Sequence, residues 1–179
     1  MPNPTLKMDS VTVLDKDSDG VHFKNSLIHS STTFPSGMVI QVVYGSTSTE
    51  VGSTNNTYKD TGLTATMPSL SSASNKIAIF MNVNGCQKET NNAYIDLKAV
   101  YNVNGGSFTD IAQFGARLGM TNDSSKNNVG TCAFNHLLSP NTTSAVIVKA
   151  QFRSAGNNSG VGVQEASSTS TLMLMEIAG

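Results

Sequence analysis

The sequence predicts an all-β protein, an antiparallel β-sandwich of jelly-roll type preceded by an extended N-terminal arm. Two observations support this prediction. In several segments of the 179-residue chain, apolar and polar side chains alternate with a period of two, which is typical of strands with one buried face. Gly, Asn and Pro clusters separate these segments at spacings of roughly 8–12 residues, which favours a sandwich or jelly roll of about nine or ten strands.

The alternation is clearest in three segments, and a fourth segment, residues 38–44, is mostly apolar. In residues 76–84 the predicted inward set is Ile77, Ile79, Met81 and Val83. In residues 144–153 it is Val146, Val148, Ala150 and Phe152. In residues 93–103 it is Ile95, Leu97, Ala99, Tyr101 and Val103.

Residues 108–118 fit a helix or a strand. Their apolar positions satisfy both periods, and we favour a strand with Phe108, Ala112, Phe114 and Ala116 on one face.

Residues 1–35 differ from the rest of the chain. Their apolar residues are too few and too widely spaced for a core, and the segment ends in the turn sequence Phe-Pro-Ser-Gly at residues 34–37. We therefore predict two parts: an anchoring arm of residues 1–35 that needs a partner, and a β-sandwich of residues 36–179. In the alternative, residues 10–28 form a hairpin on the sandwich edge.

The strand predicted at residues 172–177 is apolar on both faces. Leu172, Leu174 and Glu176 share one face, and Met173, Met175 and Ile177 share the other. One face can enter the sandwich core, and the second needs another sheet or a neighbouring subunit. We predict that Met173, Met175 and Ile177 lie at an oligomer interface.

Composition narrows the range of partners. Charged residues make up 13% of the chain and the net charge is −1, so there is no basic surface for nucleic acid or anionic lipid. No apolar run approaches the ~20 residues that a membrane-spanning helix needs. We expect a protein that binds no nucleic acid and does not insert into membranes. Cys86 and Cys132 are expected as buried free thiols, with a disulfide between them as the alternative.

One segment has the spacing of a metal site. Asp15, Asp17 and Asp19 alternate before Gly20, as in the first half of an EF-hand loop. The second half does not match, because Ser26 stands where a bidentate Glu is required. Calcium is therefore a weak candidate, and an Asp-rich turn between two strands explains the same residues without any ligand. No other cofactor is expected.

Catalytic motifs are absent from the sequence. It contains no Gly-x-Ser-x-Gly elbow and no phosphate-binding glycine loop. Its carboxylates form no recognisable pair for glycoside hydrolysis, and its three histidines stand apart. We expect a protein that is not an enzyme.

Several segments resemble a module known from bacteriophages. Residues 174–179 read Leu-Met-Glu-Ile-Ala-Gly, and segments of similar character occur at residues 37–43, 57–63, 74–84, 136–144 and 149–153. Their sequence and order are similar to the C-terminal β-sandwich module of fibre and virion-surface proteins from marine and freshwater phages, including cyanophages. Residues 84–132 do not share this likeness.

The resemblance implies a virion structural protein, made in the host cytoplasm and displayed on the virion surface. The first hypothesis is a short homotrimeric surface fibre or fibre tip that adheres to the host, with a host surface glycan as the candidate ligand. The alternative is a capsid decoration protein, a cement or head-fibre protein that contacts other virion proteins through residues 1–35. A third hypothesis, of another class, is a stand-alone carbohydrate-binding jelly roll.

Overall fold

The computed structural model describes the backbone of residues 6–8, 11–17, 20–23, 34–90, 92–120, 127–156 and 159–179. Side chains are described from residue 34 onward within these ranges, except that of residue 127. The chain divides into two compact units, Met1–Phe34 and Pro35–Gly179.

Among its described residues, the first unit contains three strands, β1 (Leu6–Met8), β2 (Val11–Asp17) and β3 (Gly20–Phe23). They pair antiparallel in sequence order, and the β2–β3 register ends with Asp17 opposite Gly20. β2 and β3 are therefore antiparallel neighbours, and β1 pairs with β2 on its other side. The arm of residues 1–35 and the alternative hairpin of residues 10–28 on the sandwich edge both stay predictions.

The described part of the second unit contains ten strands, and this confirms the all-β prediction. They are β4 (Val39–Thr47), β5 (Val51–Ser53), β6 (Lys59–Met67), β7 (Lys76–Lys88), β8 (Tyr94–Val103), β9 (Thr109–Leu118), β10 (Asn127–Leu138), β11 (Val146–Ala155), β12 (Val161–Val163) and β13 (Ser170–Ile177). The single helical element of the described residues is a short 3-10 turn, Glu165–Ser167, between β12 and β13.

The long strands form two four-stranded antiparallel sheets. In the first sheet the order is β4-β13-β7-β10, and the short strands β12 and β5 continue it beyond the end of β13. In the second sheet the order is β6-β11-β8-β9. Successive strands thus cross repeatedly between two sheets, and the eight long strands have the arrangement of a jelly roll. The predicted fold class is confirmed.

The core lies between the two sheets. Every residue of the predicted inward sets of β7 and β11 is buried, as are Ile95, Leu97 and Ala99 of β8. From the first sheet, Leu172 and Leu174 of β13 complete the same cluster. This burial of apolar surface is the main favourable contribution to folding.

For residues 108–118 the predicted element, a strand, is correct, but the predicted orientation of two of its side chains is wrong. The segment is a strand, and Phe114 packs inward, its ring 5.1 Å from the ring centroid of Phe134 on β10. Phe108 instead precedes the strand and lies over Lys149 on the outer side of the second sheet, while Ala116 is exposed. Register shifts between β8 and β9 break the strict alternation on which the prediction relied.

Two glycines with positive φ provide a matched test of packing. Gly85 has a φ of +59°, and a Cβ at this position would stand 2.6 Å from the backbone nitrogen of Glu165. Gly105 has a φ of +73° with open space around it. Alanine at either position adopts a disfavoured backbone, at a cost of about 1 kcal/mol. We expect Gly85→Ala to cost at least ~2 kcal/mol more than Gly105→Ala in urea unfolding. Equal costs would show that the contact with residues 165–168 is not tight.

Candidate subunit interface

β13 lies in the centre of the first sheet, between β4 and β7. Its side chains alternate as the sequence predicts: Leu172, Leu174 and Glu176 are buried. Met173, Met175 and Ile177 are half-buried on the opposite, outer side of the sheet. The three predicted interface residues therefore share one face.

Neighbouring strands extend this face with further apolar side chains. Met173 lies between Tyr44 of β4 and Phe80 of β7, and in the next row Met175 lies beside Val42 of β4. All of these residues point to the outer side of the sheet. We call this surface the outer apolar face; it consists of Val39, Val42, Tyr44, Ala78, Phe80, Leu137, Met173, Met175 and Ile177.

The outer apolar face is accessible over much of its area. Five of its large side chains are between 41% exposed (Phe80) and 64% exposed (Tyr44). At roughly 150–250 Å² for each large side chain, these fractions correspond to an exposed area on the order of 500 Å². The largest apolar patch on a typical monomer is about 300–600 Å² and often has a function. The surface is therefore a candidate for contact with another protein chain.

Polar residues border the outer apolar face. At one end the next row of the sheet consists of Ser46, Thr171 and Asn82, and beside Phe80 the edge strand β10 presents Asn135. At the other end Lys76 stands opposite Ile177. An apolar centre without charges, surrounded by polar residues, is the usual anatomy of a protein–protein interface.

The outer side of the second sheet has a different character. It presents three ion pairs: Lys98 with Asp110 at 2.6 Å, Lys149 with Asp60 at 2.6 Å, and Arg153 with Asp96 at 2.8 Å. Asp96 also accepts a hydrogen bond from the backbone N–H of Arg117. The domain thus has one apolar and one charged outer side, and only the charged one suits permanent exposure to water.

The calcium candidates lie in the first unit. Asp15 and Asp17 belong to β2, where they stand opposite His22 and Gly20 of β3. Asp19 and the side chains of all three lie outside the described residues, so the calcium hypothesis stays a prediction. Among the side chains that the structure does describe, no three of His, Cys, Asp or Glu come together as metal ligands would.

Both cysteines are free thiols. Burial, and to a lesser extent the proximity of Cys132, raises the pKa of Cys86 to about 12. Burial also raises the pKa of Cys132. Both groups are therefore protonated and unreactive at neutral pH, because the thiolate is the nucleophile.

Sequence reasoning identified the part of the face on β13 and missed the rest. Phe80 occupied an outward position of a predicted strand, which was a usable signal. Val42 and Tyr44 belonged to a mostly apolar strand whose outer side could not be distinguished from a buried one. Leu137 lies in a segment for which no facing was predicted.

The fold and this surface define the protein as a jelly-roll domain with an unpartnered apolar sheet face. No known family model and no curated protein matches the sequence. Among solved structures, the chain is similar to the infectious bursal disease virus VP2 subviral particle, with 11% identity and a TM-score of 0.47 over 79% of this chain and 34% of that chain. It is also similar to the structure of infectious bursal disease virus strain Gx, with 10% identity and a TM-score of 0.45 over 98% of this chain and 37% of that one. The chain therefore spans about a third of the length of each matched chain.

No helix in the described part of the chain combines the length and the apolar character needed to cross a bilayer.

Proposed function

We propose that this chain is a structural protein of a virion, displayed at the virion surface, where copies of the chain assemble through the outer apolar face. The observation that supports the proposal best is that face, on a domain whose jelly-roll fold is common among viral coat and lectin domains. The protein acts by binding and assembly, and we assign it no catalytic step.

A second copy of the chain is the occupant that the outer apolar face suits best. In a closed homo-oligomer the residues next to the symmetry axis meet their own copies, so a charged residue there would be repelled by its copies. The centre of this face holds no charged side chain, so copies can approach without repulsion. Its exposed apolar area, together with the polar border, approaches the ~800 Å² per partner of a standard stable interface.

The preferred form of this role is a short homotrimeric fibre or fibre tip that adheres to the host, as the phage-module resemblance implies. Three weak sites on one assembly, repeated over a particle, produce firm attachment without a strong individual contact.

Capsid decoration is the second candidate. The observation that favours it is that Met1–Phe34 forms a compact unit distinct from Pro35–Gly179. In this form residues 1–35 anchor the protein to the shell.

The mass of the protein in solution tests the proposal and separates its two forms. We expect light scattering of the full chain to show a trimer. A trimer that persists without residues 1–35 would favour a fibre or fibre tip, because the sandwich then assembles by itself. A monomer after this removal would mean that residues 1–35 hold the assembly together; it would contradict assembly through the outer apolar face alone and would favour the anchored decoration protein. A full chain that stays monomeric at high concentration would contradict assembly through the outer apolar face.

A further inference from the structure

The charged outer side of the second sheet contains a cavity of about 250 Å³. We call it the β6 cavity; its lining consists of Asp60, Gly62, Leu63, Thr64, Phe108, Ile147 and Lys149. It lies on the opposite side of the sandwich from the outer apolar face, so assembly through that face leaves it open to solvent.

A β-bulge in β6 shapes this cavity. Lys149 of β11 pairs with Thr64 and Gln151 pairs with Asp60, so three residues of β6 stand opposite the single residue Ala150. Gly62, with a φ of +83°, allows the strand to make this detour. The bulge therefore places Asp60 across from Lys149 and Gln151, at the mouth of a depression in the sheet.

The polar part of the lining of the β6 cavity includes the carboxylate of Asp60, which two side chains of β11 hold by hydrogen bonds. Asp60 accepts hydrogen bonds from Lys149 Nζ at 2.6 Å on Oδ2 and from Gln151 Nε2 at 2.7 Å on Oδ1. Burial raises the pKa of Asp60, but these hydrogen bonds outweigh burial and the net pKa is lowered. The carboxylate is half exposed and each of its oxygens has a second lone pair, so it can accept two more hydrogen bonds.

Part of the lining of the β6 cavity is apolar. Phe108 is 39% exposed, and its ring lies 3.8 Å from Lys149 Nζ, which fixes the ring against the sheet. Ile147 and Gly62 also belong to the lining. A sugar ring offers an apolar C–H surface and adjacent hydroxyl groups. An aromatic ring can pack against the C–H surface, and a neighbouring carboxylate and ammonium group can form hydrogen bonds with the hydroxyl groups.

We propose that the β6 cavity binds one pyranose residue of a saccharide. Two neighbouring hydroxyls donate to the free lone pairs of Asp60, a ring or hydroxyl oxygen accepts from Lys149, and the C–H surface of the sugar packs against Phe108 and Ile147. The cavity is smaller than the ~300–1,000 Å³ of sites for drug-sized ligands, which suits a single ring. The pairing of Asp60 with Lys149 leaves no net charge to attract a bare ion.

Binding of a free sugar at this site does not depend on the proposed function. Only the source of the saccharide rests on the proposed function. On a virion surface the ligand would be a host glycan, and an oligomer would present several β6 cavities together. The two proposals can therefore fail separately, since sugar binding can be measured on the chain in any oligomeric state.

The test is saturation-transfer NMR on the full chain with the methyl pyranosides of glucose, galactose, mannose and N-acetylglucosamine. We expect transfer to at least one of them, and about a tenfold or greater loss of affinity in Asp60→Asn, which loses charge-assisted hydrogen bonds. Phe108→Ala should lose binding, and Phe108→Tyr should retain it. Asp110→Asn is the matched control, because Asp110 forms an equally short ion pair with Lys98 outside the cavity.

Three results would overturn the saccharide site: no transfer to any of the four sugars, binding that survives Asp60→Asn, or an equal loss in Asp60→Asn and Asp110→Asn. A protein that assembles but binds none of the sugars would remove this site and leave the proposed function standing. A protein that binds a sugar but stays monomeric would support this site and contradict the proposed function.

Discussion

Replacing Met173 and Met175 together by aspartate should leave a folded monomer, provided that copies of the chain assemble through the outer apolar face as proposed. In the single chain both side chains are only partly buried on the outer side of the sheet, so we expect the carboxylates to reach water and the fold to be retained. In an assembly the same carboxylates would be buried in an apolar interface, which costs several kcal/mol for each unpaired charge. We expect association to weaken by at least ~100-fold, measured as mass by light scattering, with circular dichroism to confirm the fold.

Two controls make this result specific. Met173→Leu with Met175→Leu keeps the surface apolar and should keep the mass of the wild type. Thr66→Asp adds a charge at an exposed position of the second sheet and should also keep it. If the double aspartate variant does not fold, Val42→Asp with Tyr44→Asp tests the same face on the edge strand β4. An aspartate variant that still forms the full oligomer would mean that the interface lies elsewhere.

The inward faces of the core strands were predictable from residue type. In β7 and β11 every second residue is apolar, and a strand that buries one face shows this burial as alternation. The same reasoning separated Leu172 and Leu174 from Met173 and Met175 in β13. These assignments needed no knowledge of pairing partners, because the alternation is a property of each strand alone.

The arrangement of the strands was not predictable in the same way. β13 lies between β4 and β7, and the apolar surface around Met173 exists only because Tyr44 and Phe80 become its neighbours. Such pairing depends on contacts between residues that are distant in sequence, and no local pattern records it. Bulges add a second obstacle. The bulge at Gly62 shapes the β6 cavity although the alternation of buried residues in β6 continues through it, and the register shifts between β8 and β9 break the alternation that was used to orient Phe108.

Glu176 shows both the strength and the limit of the sequence pattern. Alternation assigns it to the inward face of β13, and the structure buries it completely. The pattern does not show how a carboxylate is tolerated there. Its Oε1 accepts from the backbone N–H of Ser71 at 2.7 Å, from the Ser71 hydroxyl at 2.9 Å and from Asn75 Nδ2 at 2.6 Å, and its Oε2 accepts from Gln41 Nε2 at 2.6 Å. The carboxylate thus joins β4, β13 and the β6–β7 connection.

Removing this carboxylate should be among the most destabilising single changes in the domain. Glu176→Ala removes all four of these hydrogen bonds and empties a fully buried position. Gln41 Nε2 keeps a hydrogen bond to the backbone oxygen of Ser69, and Asn75 Nδ2 keeps one to the Ser71 hydroxyl. Each lost hydrogen bond to the charged carboxylate contributes about 1.5–3 kcal/mol. We expect a loss of at least ~3 kcal/mol in the free energy of unfolding. Glu50→Ala, at an exposed position, should change the stability little and serves as the control. A loss below ~1 kcal/mol would mean that the hydrogen bonds around Glu176 contribute little to the fold.

The pKa of Glu176 predicts how the free energy of unfolding depends on pH. Burial raises the pKa of Glu176, but the hydrogen bonds from Asn75, Ser71 and Gln41 outweigh burial, so the net pKa is lowered from its ordinary 4.5. A group with a lowered folded pKa stabilises the fold above its unfolded pKa, and the stabilisation is lost as pH falls through the folded value. The stability difference between the wild type and Glu176→Gln should therefore be largest above about pH 4.5 and shrink in more acidic solution. Urea unfolding of both proteins from about pH 7 to about pH 3 measures it, with Glu50→Gln expected to parallel the wild type. A difference that stays constant or grows toward low pH would show that the folded protein does not depend on an ionised Glu176.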